Sequence, residues 1–394
     1  MPVVRFPKTF GVILIFLIGA ACTFPARLLG TAHPTAAPPT HSAPTQQAPA
    51  PTRTAAPGLR ATTTAAPAPN CAYNPALAAV LQTTTPDHWI GWIRKLSGAD
   101  LVEMDGRRAR ITTRYSPAMF SGQKNAQAFP WVRQQILQWY PPEQVQEQPY
   151  TVELDNQTYT WKNLILTLPG ASRPDEIVIL AAHLDSTSQA PLRQAPGAED
   201  NGSGSAALLE AARLFHSFTF ERTLQIVWFT GEEQGLLGSQ AFAQALDPAH
   251  RVVGVINLDM FGYDSDGDRC FELHVGRLPA SQEIGTCFTQ SIHEYDLDLT
   301  YDYLTDQATS RSDHGSFWSA RIGAVEVLQD LFESHQENGC RASDPNPYYH
   351  TTEDTVEHIN PATGFAIVQA ALATAAALAV PQLPPDGSPQ GPQP

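Results

Sequence analysis

The sequence predicts an α/β fold, a three-layer sandwich with a mostly parallel central sheet flanked by helices. Three observations carry that expectation. Short, continuous apolar runs, "IVILAAH" (177–183), "LQIVWFT" (224–230), "VVGVINLDM" (252–260) and "AVEVLQD" (324–330), have the composition of strands buried on both faces. Helical patterns lie between them, "GSGSAALLEAARLF" after the first and "GLLGSQAFAQAL" after the second. Strands alternating with helices place those strands in one largely parallel sheet. Polar and charged residues collect where the strands end, the edge at which open α/β sheets bind ligands.

Along the chain, Arg5 and Lys8 precede an apolar run from Phe10 to Ala21, and small residues lead into Cys22. A basic start, a short apolar stretch and a small-residue ending form a secretory signal over residues 1–22. The run of about 12 residues is too short for an ordinary membrane span. Export follows, to an extracellular or cell-surface location. Cys22 stands where bacterial lipoproteins carry their lipidated cysteine, although Gly19 occupies the place where Leu is usual. Lipidation, simple cleavage and an uncleaved anchor all stay open, and membrane contact is expected only through this N-terminal anchor.

Residues 23–70 are Pro, Ala and Thr with scattered charges, too poor in apolar bulk for a core, and read as a disordered linker. The folded domain is expected over 71–381, with a disordered Pro-rich tail over 382–394. "AFPWVRQQILQWY" (128–140) reads as an early helix and "PATGFAIVQAALATAAALAV" (361–380) as the closing one. The closing segment is apolar enough to suggest a membrane anchor, but Gln369 and the threonines favour a helix packed in the core.

The 394 residues carry a net charge of −15, which argues against a nucleic acid or an anionic membrane surface as partner. Five cysteines are present. With Cys22 set aside, Cys71, Cys270, Cys287 and Cys340 allow three pairings in an oxidising compartment. Cys270–Cys287 with Cys71–Cys340 is the favoured set; free buried thiols are the alternative.

The strand ends supply a specific group of side chains. "AAHLDS" gives His183 and Asp185, "PGAEDNGSG" gives Asp200, "FTGEEQGLLGS" gives Glu232 and Glu233, "NLDM" gives Asp259, and "PYYHTTEDT" gives His350. Two adjacent glutamates at the mouth of a buried sheet repel each other and lose hydration, so a cation is needed to make them favourable. Imidazoles and carboxylates without thiolates suit a divalent metal, zinc above all. Taken singly, each residue has a plainer reading: Asp200 as a helix N-cap, the glutamates as a solvated turn, the histidines as satisfied polar groups. Their joint placement at one sheet edge outweighs those readings. "DSDGD" (264–268) hints at calcium, but Arg269 stands where an EF-hand loop requires Gly.

The stretches "HLDS", "PGAEDNGSG", "FTGEEQGLLGS", "LDM", "SDHGSFW" and "YYHTTEDT", in this order over about 175–360, resemble the co-catalytic two-zinc aminopeptidases, relatives of glutaminyl cyclases and of transferrin-receptor-like ectodomains. The resemblance implies two zinc ions per chain. Asp200 bridges them, His183 and Asp259 complete one site, and Glu233 and His350 complete the other. It makes Glu232 the general base rather than a ligand, and Asp185 the group that holds His183 through its other ring nitrogen. It also implies a cis peptide at Asp200–Asn201 and an orienting role for Asp313. Some relatives place a tyrosine shortly before "SDH"; here "DQATSR" stands there, with Tyr301 and Tyr303 upstream, and the oxyanion partner is unassigned.

With export read from the N-terminal signal, the resemblance implies a zinc aminopeptidase, a metalloexopeptidase acting on peptides with a free N-terminus, and a monomer is expected. The rival readings are a glutaminyl-peptide cyclase on the same scaffold, a carboxypeptidase or dipeptide-cleaving relative, and a non-catalytic binding ectodomain. "EEQGLLGS" is closer to the peptidase form, and a binding ectodomain does not need all five ligand positions and the base.

Overall fold

The computed structural model describes residues 3–4, 71–154, 156–332 and 339–382, all within one compact unit. The signal over 1–22 beyond Val3–Val4, with Cys22, the linker over 23–70 and the tail beyond Gln382 lie outside the described residues.

Among the described residues a nine-stranded mixed sheet runs in the order Val3–Val4, Val145–Leu154, Gln157–Leu168, Arg222–Phe229, Arg173–His183, Arg251–Leu258, Ala324–Gln329, Cys270–His274, Thr300–Leu304. Its four central strands, Arg222–Phe229 to Ala324–Gln329, are mutually parallel. Val145–Leu154 and Gln157–Leu168 form an antiparallel hairpin on one side, and Cys270–His274 runs antiparallel to Ala324–Gln329 on the other. The four apolar runs that predict strands are these four parallel central strands.

Side-chain alternation explains the three layers. Along Arg173–His183, Val178, Leu180 and Ala182 face one core, while Ile177, Ile179 and Ala181 face the other. The first core is covered by the helices Pro86–Leu96, Gly204–Phe215, Pro279–Glu294 and Pro361–Ala379. The second is covered by Leu237–Gln244 and His314–Ser319, with Phe229, Phe242 and Phe317 in mutual ring contact. The closing helix Pro361–Ala379 is long and apolar enough to cross a membrane, yet most of it is buried against the sheet and the neighbouring helices. It begins where it does because Pro361 occupies the first turn and the Asn360 side chain accepts from the N–H groups of Ala362 and Thr363.

The disulfides differ from the favoured pairing. Cys71 is joined to Cys287 and Cys270 to Cys340, with Cα separations of 5.5 and 5.4 Å. Cys287 lies in the Pro279–Glu294 helix and faces the chain entering the domain. Cys270 opens a strand on whose flank Cys340 is held by a hydrogen bond from its N–H to Asp302. Cys287 and Cys270 are close in sequence, but helix and strand direct them to different parts of the structure. Removing the 71–287 link, which closes a long stretch of chain, with a Cys71→Ser/Cys287→Ser variant lowers unfolding free energy by about 2–4 kcal/mol in guanidinium titration. An unchanged midpoint excludes a stabilising role.

Glu210 joins two helices of the larger layer. Its buried carboxylate accepts from Arg213 (2.6 Å), from the Trp92 indole (3.0 Å) and from the Thr84 hydroxyl. Burial works against the charge, but Arg213, Thr84 and Trp92 outweigh it and hold the carboxyl below the ordinary glutamate range. A depressed folded-state pKa contributes stability above the unfolded value of about 4.3, and that contribution fades as pH falls through the folded value. Glu210→Gln therefore loses about 1–3 kcal/mol at neutral pH. Its deficit against the parent chain narrows between pH 5 and lower pH; a pH-independent gap refutes the linkage.

Candidate metal centre

The carboxyl ends of the parallel strands bring five side chains together in two groups. His183, Asp200 and Asp259 form one, and Asp200, Glu233 and His350 the other; within each, the candidate ligand atoms lie within 4.8 Å of one another. His183 closes the Arg173–His183 strand, Asp259 follows the Arg251–Leu258 strand, and Glu232 and Glu233 follow Arg222–Phe229. Asp200 stands before the Gly204–Phe215 helix, and the Asp200–Asn201 peptide is cis. His350 comes from a turn after the last sheet strand, with its backbone in the left-handed region at φ 57°.

Asp200 divides its two oxygens between the groups. Oδ1 lies 3.2 Å from His183 Nε2, and Oδ2 lies 3.1 Å from His350 Nε2. His183 Nε2 is also 3.1 Å from Asp259 Oδ1, and His350 Nε2 is 3.0 Å from Glu233 Oε2. One ring N–H cannot serve two acceptors well, and Glu233 Oε1 is buried without a hydrogen-bond partner. A donor set of imidazole nitrogens and carboxylate oxygens, crowded and under-satisfied, fits a divalent cation in each group. Glu232 stands apart from both groups, its Oε2 4.0 Å from His183 Nε2.

Electrostatics reflect the crowding. Burial pushes the Glu233 carboxyl up to about 8, with repulsion from Asp200 adding to it and His350 opposing. Burial likewise drives Glu232 well above the ordinary range, His183 opposing and Asp259 and Glu233 reinforcing. Asp200 is the exception: burial disfavours its charge, but hydrogen bonds to His183 and His350 outweigh that and hold it well below the ordinary range. Of Asp200, Glu232 and Glu233, the residue shared by the two groups is thus the most firmly ionised.

Asp185 departs from its expected contact. The His183 Nδ1 partner is the Asp185 backbone carbonyl at 3.0 Å, while the carboxylate Oδ1 is 3.7 Å away. The Asp185 carboxylate instead accepts from the backbone N–H groups of Glu232 (3.3 Å) and Glu233 (3.4 Å). Two residues after His183 the chain has already turned, so its carbonyl faces the ring and its side chain faces the next strand end.

Further residues support the site without having been singled out from sequence. The Asp354 carboxylate accepts from the N–H groups of Glu199 (2.9 Å) and Asp200 (3.0 Å), tying the His350 turn to the Asp200 loop. The Glu199 carboxylate accepts from Gly262 and Tyr263, steadying the chain after Asp259. Ser312 donates to Asp259 Oδ2 at 2.5 Å and accepts from Asn257. Its neighbour Asp313 is buried and pushed up to about 7 by that burial, with the His183 charge and the Ser239 hydroxyl opposing the shift. The hydrogen bond to a candidate ligand in "SDHGSFW" thus comes from Ser312. Tyr301 and Tyr303 lie on the Thr300–Leu304 edge strand, away from the strand ends that form the site. Tyr349 stacks on the His350 ring with centroids 3.7 Å apart. Asp264, Asp266 and Asp344 form a third acidic group whose oxygens accept from Gly267, Ser265, Asn360, Thr363 and Asp268, bonds that fold the 264–268 turn.

A probable leucine aminopeptidase of Trichophyton verrucosum is 34% identical over 217 residues, covering 53% of this chain and 54% of that protein. The chain therefore spans about half the length of the curated relatives it matches. LapB of Legionella pneumophila shares the fold at a TM-score of 0.60 and 20% identity, over 77% of this chain and 74% of that one. A glutaminyl cyclase of Bacteroides thetaiotaomicron does so at 0.56 and 18%, over 73% and 96%. The profile of peptidase family M28 matches residues 163–375, more than half of the sequence and all of the strand ends described above. The chain belongs to peptidase family M28.

Proposed function

We propose that the chain is an exported aminopeptidase that holds two zinc ions, one in each ligand group, and removes N-terminal residues from peptides. The observation that carries this reading is the division of the Asp200 oxygens between the groups, with Glu232 beside them and bound to neither. Zinc held there supplies Lewis acidity, activating a water for attack and drawing electron density from the scissile carbonyl.

The chain's own residues supply the rest. Glu232 takes the proton of the attacking water as the new C–O bond forms, and passes it to the departing amine as the C–N bond breaks. Asp185 fixes the backbone that carries Glu232 and Glu233, and Ser312 fixes Asp259. By resemblance, Glu232 and Asp259 are the acidic groups that receive the free α-amine of the substrate. Relatives named leucine aminopeptidase support an apolar N-terminal residue.

The test is an assay of the purified chain on aminoacyl-arylamides and on peptides with N-terminal glutamine. The reading expects arylamide hydrolysis that a chelator abolishes and zinc restores. Chelator-insensitive turnover, or cyclisation of glutamine without hydrolysis, rejects it.

A further inference from the structure

Arg114 is fully buried, and among the described residues its guanidinium donates to four backbone carbonyls. Nε donates to Leu184 O at 2.7 Å, Nη1 to Pro196 O at 2.6 Å and Leu96 O at 3.2 Å, and Nη2 to Gly197 O at 2.7 Å. Leu184 sits between His183 and Asp185; Pro196 and Gly197 open the loop that carries Asp200. One planar fork therefore spans the two loops whose ligands meet in the first metal group, where His183 Nε2 and Asp200 Oδ1 are 3.2 Å apart.

We propose that Arg114 is a positioning residue of the metal centre, a clamp that sets the spacing between the His183 loop and the Asp200 loop. A buried cation without a bonded carboxylate is costly to retain. The cost is offset by the carbonyl bonds and, at longer range, by Asp354, Asp200, Asp185 and Glu233, which partly counter the loss of charge that burial favours. The surrounding backbone has no slack. Gly197 lies at φ +51°, and a Cβ there meets Asp200 O at 2.2 Å, Ser186 Cβ at 2.5 Å and Arg114 Nη2 at 3.0 Å. A Cβ on Gly202 meets Gly197 O at 2.7 Å, so the loop is pressed against its own return to the helix.

The fork is what the geometry requires. A guanidinium presents five donors in a fixed plane, whereas a lysine ammonium is a single point that cannot hold both loops at these angles. Arg114 also stands outside residues 163–375, so the clamp comes from the part of the chain that precedes the family match. Arg114 itself belongs to neither the metal groups nor the motifs at the strand ends, whereas the carbonyls it holds at Leu184, Pro196 and Gly197 lie within "HLDS" and "PGAEDNGSG".

The inference rests on the metal-centre reading, and its experiment separates the two. Zinc affinity of the purified full chain is measured by competition with a chromogenic chelator for the parent, Arg114→Lys and Arg114→Gln, beside circular dichroism and thermal unfolding without metal. Both folded variants are expected to bind zinc on the order of tenfold to a hundredfold more weakly, as for other groups that orient metal ligands. Loss of a merely structural contact lowers the unfolding temperature and leaves zinc affinity of the folded fraction unchanged. If Arg114→Gln does not fold, Arg114→Lys decides. Zinc affinity of Arg114→Lys within fivefold of the parent overturns the clamp, because charge without the fork is then sufficient. A parent chain that binds zinc but hydrolyses no arylamide removes the aminopeptidase reading and leaves the clamp standing. A parent that binds no zinc removes both.

Discussion

Glu232→Gln lowers kcat on an aminoacyl-arylamide by about 10²–10⁴-fold, the range that a positioned general base contributes. The amide keeps the shape of the side chain and loses the ability to accept a proton. Glu232 belongs to neither metal group, lying 4.0 Å from His183 Nε2, so zinc content and zinc affinity stay at the parent level. KM changes less than kcat, because the proton transfer occurs on the way to the transition state. The backbone N–H of residue 232 still reaches Asp185, so the fold is preserved. The checks are steady-state kinetics, metal analysis and circular dichroism on the same preparation. Activity within tenfold of the parent assigns the base to another group.

Asp200→Asn has a larger structural consequence. Each Asp200 oxygen serves a different group, and an amide replaces one of them with an NH2 that repels a cation. Zinc content is expected to fall from two equivalents to one or none. Each zinc of the proposed pair would contribute several kcal/mol of transition-state stabilisation, so activity is expected to fall by about 10³-fold or more at 1.36 kcal/mol per tenfold. Thermal unfolding gives an independent reading. A ligand that binds only the folded state stabilises by RT ln(1 + [L]/Kd), about 2.7 kcal/mol at one hundred times Kd. The parent therefore gains stability on zinc addition, and the variant loses most of that gain. Two equivalents of tightly held zinc in Asp200→Asn rule out the bridge.

How far the sequence reaches can be judged from particular residues. The apolar runs at 177–183, 224–230, 252–260 and 324–330 form the parallel centre of the sheet, because a strand buried on both faces has no polar side to show. His183, Glu233 and Asp259 were legible as candidates because each ends or closely follows a strand, and Asp200 and His350 because of the motifs "PGAEDNGSG" and "PYYHTTEDT"; the structure gathers all five. The antiparallel strands at the two flanks were less legible; Cys270–His274 and Thr300–Leu304 are short and carry polar residues such as Glu272 and Asp302. Asp354 and Ser312 lay inside quoted motifs, but their role appears only when Asp354 meets the N–H groups at 199 and 200 and Ser312 meets Asp259. Arg114 left no local signal at all.

The sequence by itself determined the class of fold, the ends of the strands and the kinds of side chain available there, since period, propensity and residue chemistry are local properties. Tertiary structure alone decided which oxygen of Asp200 faces which imidazole, that the Asp185 carboxylate turns to residues 232 and 233, and that Cys71 pairs with Cys287. Those outcomes depend on distances between residues tens to hundreds of positions apart. Such distances are set by how helices and strands pack, and no short stretch of chain contains them.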